Sequence, residues 1–226
     1  MEMPIEPEPS RWGFPDPRDY GEDDLVAVGG DLSPGAVIAG YRQGLFPMHL
    51  EDERLGWWSP VERGIIPLES FEVSRSLRKS LRRFRVTFDQ DLSGVIEGCA
   101  DPYRPDGWIT QDIKDAYLEL GRLGWVHSIE SWTAEGELAG GLYGVKIEGL
   151  FAGESMFSRE RDASKVALVA LVGVLSATPA ALLDVQWATP HLKSLGAVGI
   201  DRSEYFRRLA GALRAPRVEG PWRELP

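Results

Sequence analysis

At 226 residues the chain is long enough to bury one large core, or a core with a small companion domain. Acids outnumber bases 35 to 25, giving a net charge of -10, which taken alone argues against nucleic-acid binding; 43% hydrophobic residues describe a folded globular protein. The longest apolar run, 166–175, is interrupted by a glycine and too short to span a bilayer, and the acidic, proline-rich start is unlike a signal peptide, so a cytoplasmic protein with no membrane association is expected.

Residues 1–35, rich in Pro, Asp and Gly, read as largely irregular, anchored by Trp12 and Phe14, with 25–30 as a short strand or a turn. Ser33 and Pro34 open a helix that runs to 42 or 43 and stops at Gly44. GLFPM (44–48), an acidic loop and GWWSP (56–60) follow with no element assigned, and a domain boundary falls at 64. A helix is expected over 74–84, a strand over 85–88, and helices over 92–99 and 110–123, the last capped by Thr110. Strands over 126–133, 138–147 and 150–157 turn at Gly136 and Gly149. A strongly apolar helix over 164–175, a strand over 182–187, a short helix from His191 closed at Gly196 and a last helix over 204–213 complete the chain. Meandering strands flanked by helices predict an α+β fold with two domains, 1–64 and 65–226.

Polar groups set inside apolar runs need partners or a job. In LDVQ (183–186), period-two alternation projects Asp184 and Gln186 to one face and Leu183 and Val185 to the other. The pair reads either as an amide and carboxylate that align an attacking amine or as a strand-end cap. In GESMFS (153–158), Glu154 and Met156 share a face, as the wall of an apolar pocket or as a half-buried acid paired with Lys165. Arg75, Arg78, Lys79, Arg82 and Arg83 are spaced for one helix face; five cations without alternating acids suit a phosphate backbone. The single cysteine, Cys99, reads as core, and His49, His127 and His191 lack metal-ligand spacing, so no metal is expected.

Ordered motifs then carry a resemblance over nearly the whole chain: VGGDLSP (28–34), YRQGLFP (41–47), WWSP (57–60), VSRSLRK (73–79), VIEGCA (95–100), WIT (108–110), HSIESW (127–132), GGLYGV (140–145), GESMFS, DASK (162–165), LDVQ and HLKSLGA (191–197). The sequence resembles the bacterial leucyl/phenylalanyl-tRNA–protein transferases. The resemblance implies a small N-terminal domain on a larger domain like that of the GNAT acyltransferases, with a mixed sheet flanked by helices. It implies transfer of leucine or phenylalanine, and less readily methionine, from aminoacyl-tRNA to the N-terminal Arg or Lys of a protein, marking it for N-end rule degradation. No cofactor is implied, since the ester is already activated, and the enzyme is expected to be a monomer.

By motif position, Asp184 and Gln186 match the pair that positions and helps deprotonate the attacking amine. Leu142, Glu154, Met156, Leu168, Leu171 and Leu183 match the lining of the aminoacyl pocket; Leu183 points away from Asp184 in an ideal strand, so its place there needs a twist or bulge. Trp108 matches an aromatic that packs on the terminal adenosine, and the basic helix matches the contact to tRNA phosphates. One departure stands out: Met48 occupies the place of a second adenosine-stacking Trp, so a weaker hold on the adenosine is expected unless Trp57 or Trp58 compensates. The competing readings are a GNAT-type acetyltransferase, for which 153–165 lacks a glycine-rich pyrophosphate turn, a non-catalytic tRNA-binding adaptor, and a transferase building cell-wall peptide branches.

Overall fold

The computed structural model describes residues 3–101 and 107–217; parts of the expected domains 1–64 and 65–226 lie outside them. Strands β1 (Leu25–Val28), β2 (Phe46–His49) and β3 (Leu55–Trp58) form a small antiparallel sheet in the order β1-β3-β2, with helix α1 (Pro34–Arg42) between the first two strands. β4 (Glu62–Ile66) already belongs to the large sheet, so the change of sheet falls between Trp58 and Glu62, a few residues before the expected boundary at 64. Seven strands make that sheet, in the order β10-β4-β9-β8-β7-β6-β5, from β5 (Arg85–Phe88), β6 (Val126–Trp132), β7 (Leu138–Ile147), β8 (Leu150–Ser158), β9 (Leu182–Gln186) and β10 (Val198–Asp201) with β4. All pairs are antiparallel except β8 with β9, so the sheet is mixed.

The remaining helices are α2 (Arg75–Ser80), α3 (Leu92–Cys99), α4 (Gln111–Arg122), α5 (Ala163–Leu175), α6 (Pro190–Lys193) and α7 (Arg202–Ala212). Two apolar layers sandwich the large sheet. One joins Val95, Ile113, Tyr117 and Leu209 from α3, α4 and α7 to the small sheet; the other joins Leu168, Leu171 and Leu175 of α5 to Leu142 and Leu183. Cys99 lies in the first layer. Among the described residues no helix is long and apolar enough to cross a membrane.

Three local expectations change. α2 ends at Ser80 rather than 84, because Arg82 and Arg83 turn back with i→i−3 bonds to Lys79 and Ser80. Only Leu77 and Ser80 of α2 are buried, which anchors a helix of barely two turns. Thr110 occupies the N-cap of α4 but makes no side-chain cap; its hydroxyl bonds Asp112 instead. β2, β3, β4 and β10 are short strands where the pattern predicts no element; Pro47 lies within β2, and the acidic turn joins β2 to β3.

The β8–β9 pairing positions the site. The two strands run parallel and in register only from Leu150 with Leu182 to Ala152 with Asp184. Beyond that point each carries a bulge on its far side. Gly144 and Tyr143 of β7 oppose Gly153 and Ser155, which leaves Glu154 as the extra residue of β8. Gly64 and Ile65 of β4 oppose Gln186 and Asp184, which leaves Val185 as the extra residue of β9. A glycine faces each bulge for lack of room. A Cβ on Gly144 would sit 2.3 Å from the Ala152 carbonyl oxygen, and one on Gly64 would sit 2.5 Å from the Ala188 nitrogen.

Candidate active site

A cavity of about 740 Å³ opens where β8 and β9 part. Its apolar end is formed by Ile66, Leu142, Met156, Leu168, Leu171, Leu183 and Val185, drawn from the sheet and the inner face of α5. Glu154 and Gln186 sit at the polar part of the wall, and Phe46, Met48, His49, Trp108 and Trp187 line the side toward the small sheet. The structure therefore brings together every residue expected in the aminoacyl pocket, with Gln186, Met48 and Trp108.

Asp184 is the exception. The β9 bulge breaks the period-two alternation: Gln186 adopts φ +57° and turns to the cavity beside Leu183, while Asp184 points away. The expectation that Asp184 and Gln186 project together is thus corrected, and the bulge that Leu183 required is present. The Asp184 carboxylate is fully buried. It accepts two parallel hydrogen bonds from Arg63, Nε at 2.8 Å and Nη2 at 2.6 Å, one from the Tyr205 hydroxyl at 2.9 Å, and one from the Gln186 backbone N–H at 3.0 Å. Arg63 is also fully buried, lies over the rings of Tyr205 and Phe46, and donates Nη1 to the Gly44 carbonyl at 3.0 Å. Burial opposes its charge, but Asp184 and Tyr205 outweigh burial and hold the guanidinium protonated.

Glu154 does not pair with Lys165, which reaches Asp162 instead. The bulge turns Glu154 toward two buried tyrosines. Tyr41 Oη lies 2.6 Å from Oε1, Tyr117 Oη 3.1 Å from Oε2, and the two hydroxyls are 2.6 Å from each other. Three contacts need three protons, and the hydroxyls supply two. A proton on the Glu154 carboxyl completes the ring. Burial acts the same way and pushes this carboxyl up to about 7, against the lowering effect of the tyrosine hydrogen bonds. Burial, then the neighbouring Glu154 charge, raises both tyrosines well above the ordinary phenol range. Gln186 Nε2 donates to Glu154 Oε1 at 3.4 Å, so the amide oxygen of Gln186 is left to accept a bond from a ligand.

Arg63, Tyr41 and Tyr117 were not singled out from the sequence. The tyrosines fall on the apolar faces of α1 and α4 and read as core; Arg63 stands in a stretch with turn composition, 121 positions from its partner. Neither Trp57 nor Trp58 lines the cavity: Trp57 is buried with Nε1 on the Gly29 carbonyl, and Trp58 Nε1 donates to the Met48 carbonyl. Trp187 lines it instead.

The five basic residues are all exposed: Arg75, Arg78 and Lys79 on α2, and Arg82 and Arg83 in the turn after it. Arg75, Lys79 and Arg83 border one shallow concavity with Arg161, Arg83 also pairing with Glu160 at 3.1 Å. Arg78 borders another, with Phe71 and Leu81.

An apolar pocket with an oriented amide and a carboxyl at its polar wall suits an apolar group held beside a polar reacting centre. Comparison with known proteins identifies the class. The family model for the leucyl/phenylalanyl-tRNA protein transferase N-terminal domain matches residues 30–61, and that for leucyl/phenylalanyl-tRNA protein transferase matches 65–210. Relatives named leucyl/phenylalanyl-tRNA–protein transferase include one from Aromatoleum aromaticum, 46% identical over 88% of this chain and 86% of its own length. Another, from Anaeromyxobacter sp., is 46% identical over 95% and 93%, and one from Stutzerimonas stutzeri is 47% identical over 88% and 89%. A solved structure of L-PGS from Bacillus licheniformis overlaps 69% of this chain and 45% of that chain at a TM-score of 0.37 and 13% identity. This chain belongs to the leucyl/phenylalanyl-tRNA–protein transferase family and is an aminoacyltransferase.

Proposed function

We propose that this enzyme moves leucine or phenylalanine, and methionine less readily, from the 3′ ester of a charged tRNA to the N-terminal Arg or Lys of a protein. The observation that carries this is the cavity itself. Its apolar end suits a large aliphatic or aromatic side chain without a charge, and the amide and carboxyl of its polar wall suit the ester and the attacking amine. In the transfer, the acceptor α-amine attacks the ester carbonyl, a C–N bond forms, and the C–O bond to the 3′ ribose oxygen breaks. The amine gives up a proton and the ribose oxygen takes one.

Gln186 is the residue we assign to hold the amine. Its NH₂ is engaged by Glu154, so its oxygen accepts from the attacking nitrogen and aligns the lone pair. Glu154 orients that amide and forms part of the pocket wall. Asp184, which does not reach the cavity, acts as a positioning residue: with Arg63 it fixes the backbone of the bulge that presents Gln186. Leu142, Met156, Leu168, Leu171 and Leu183 receive the side chain. Trp108 and Met48 flank the terminal adenosine, and Arg75, Lys79 and Arg83 with Arg78 and Arg82 face the tRNA backbone. We take the enzyme to act as a monomer in the cytoplasm.

The test mixes the protein with tRNA charged with labelled leucine and two peptides, identical except for N-terminal Arg or Ala. Label in the Arg peptide alone is expected. Label in neither, with tRNA still bound, supports a binding adaptor instead.

A further inference from the structure

Met48 brings a flexible thioether, not a flat ring, to the cavity between Phe46 and His49 of β2. Phe46 and Met48 alternate to the same side of that strand, and both line the cavity. Trp187 lines the same region from the end of β9, directly after Gln186. Its ring meets Phe46 edge to face at 5.0 Å and 90°, and meets Trp58 at 6.0 Å and 66°. Its indole N–H donates to Asp24 Oδ2 at 2.9 Å. The ring is thus held by two aromatic contacts and at its polar tip by a hydrogen bond; it is half-buried and lines the cavity. Trp58 is turned away to brace it, through its own bond to the Met48 carbonyl at 3.0 Å.

We propose that Trp187 is a binding residue for the 3′-terminal adenine of the donor tRNA, supplying from β9 the stacking surface that Met48 does not. The inference rests on the assignment of the cavity to an aminoacyl ester. Given that assignment, the chemistry of the donor fixes the base within one ribose of the ester carbon, and hence beside Gln186, where Trp187 stands. Rigid rings suit this task because stacking costs little entropy when the ring is already held. Methionine at 48 then packs as a soft spacer against the same site rather than leaving it unserved.

The probe is 3′-leucylamido-3′-deoxyadenosine, whose amide cannot be transferred. Trp187→Ala is expected to weaken its binding about tenfold, and Trp187→Phe only a few-fold. Adding Met48→Trp to Trp187→Ala is expected to restore most of the lost affinity. The analogue should quench tryptophan emission in the wild type, and less so in Trp187→Phe, which preserves the packing if the alanine variant does not fold. KM for the Arg-initiated acceptor peptide should stay unchanged. Equal analogue affinity and equal quenching in wild type and Trp187→Phe would overturn the proposal, as would a loss confined to the acceptor peptide, which would place the acceptor's cationic side chain on this ring. Failure of the wild type to bind the analogue or to transfer leucine would instead sink the assignment of the cavity.

Discussion

Arg63 and Asp184, 121 positions apart, meet through two parallel hydrogen bonds at a place where neither side chain reaches solvent. Loss of one partner strands the other as a buried charge, which costs about 3–5 kcal/mol. Asp184→Asn is therefore expected to lower stability by that order in urea unfolding and to lower the transfer rate, with KM for aminoacyl-tRNA little changed. Arg63→Met with Asp184→Leu should recover much of the stability but not the rate, because the Gln186 N–H still lacks its acceptor. A double variant with normal single-turnover rate would show that the pair holds the fold and not the amide.

The Glu154 carboxyl, ordinarily near 4.5 and here about 7, gives a signed prediction. Between those values the folded protein keeps a proton that the unfolded chain has released. The stabilisation is full below pH 4.5 and is lost as pH rises through 7, a change of about 3 kcal/mol. Glu154→Gln can donate to one tyrosine and accept from the other at any pH. Urea midpoints between pH 5 and pH 8 should fall in the wild type by more than in the variant; parallel curves would show that Glu154 is ionised throughout.

Leu168 lies on the α5 wall of the cavity and is almost fully buried. Leu168→Ala should cost about 2–5 kcal/mol and deepen the apolar end. The ratio of kcat/KM for phenylalanyl-tRNA over leucyl-tRNA is expected to rise several-fold, the range that apolar pockets command through size alone. An unchanged ratio would place the amino-acid side chain elsewhere.

The basic residues of α2 and the turn after it predict graded effects on tRNA binding. Arg75→Glu with Lys79→Glu removes two cations from the concavity that also holds Arg83 and Arg161. Affinity should fall, and the slope of log K against log salt should flatten by about two. Arg78→Glu, in a separate apolar-edged concavity, should change the slope by no more than about one. Equal slopes for all variants would mean that α2 does not face phosphate.

The layer order and most helices and strands were legible because apolar periodicity is a local property: α3, α4, α5 and β5–β9 stand close to where the pattern puts them. The pocket wall was legible through its motifs. What escaped was geometry that depends on a neighbour. Alternation put Asp184 beside Gln186, but the single residue that β4 fails to match reverses their relation. The partners of Glu154 come from α1 and α4, where tyrosine hydroxyls look like ordinary core until the helices dock. α2 was overextended because arginine and leucine favour a helix that its two buried residues cannot hold.

The parting of β8 from β9 has a mechanical consequence. The β10-β4-β9 block and the β8-β7-β6-β5 block share a backbone ladder only three residue pairs long. Near the cavity that seam is crossed instead by side chains, among them the Gln186 to Glu154 contact. A donor lodged there spans both blocks and acts as a splice, so occupancy should slow amide hydrogen exchange in β9 and β4 more than in β6 and β7, where the ladders are continuous.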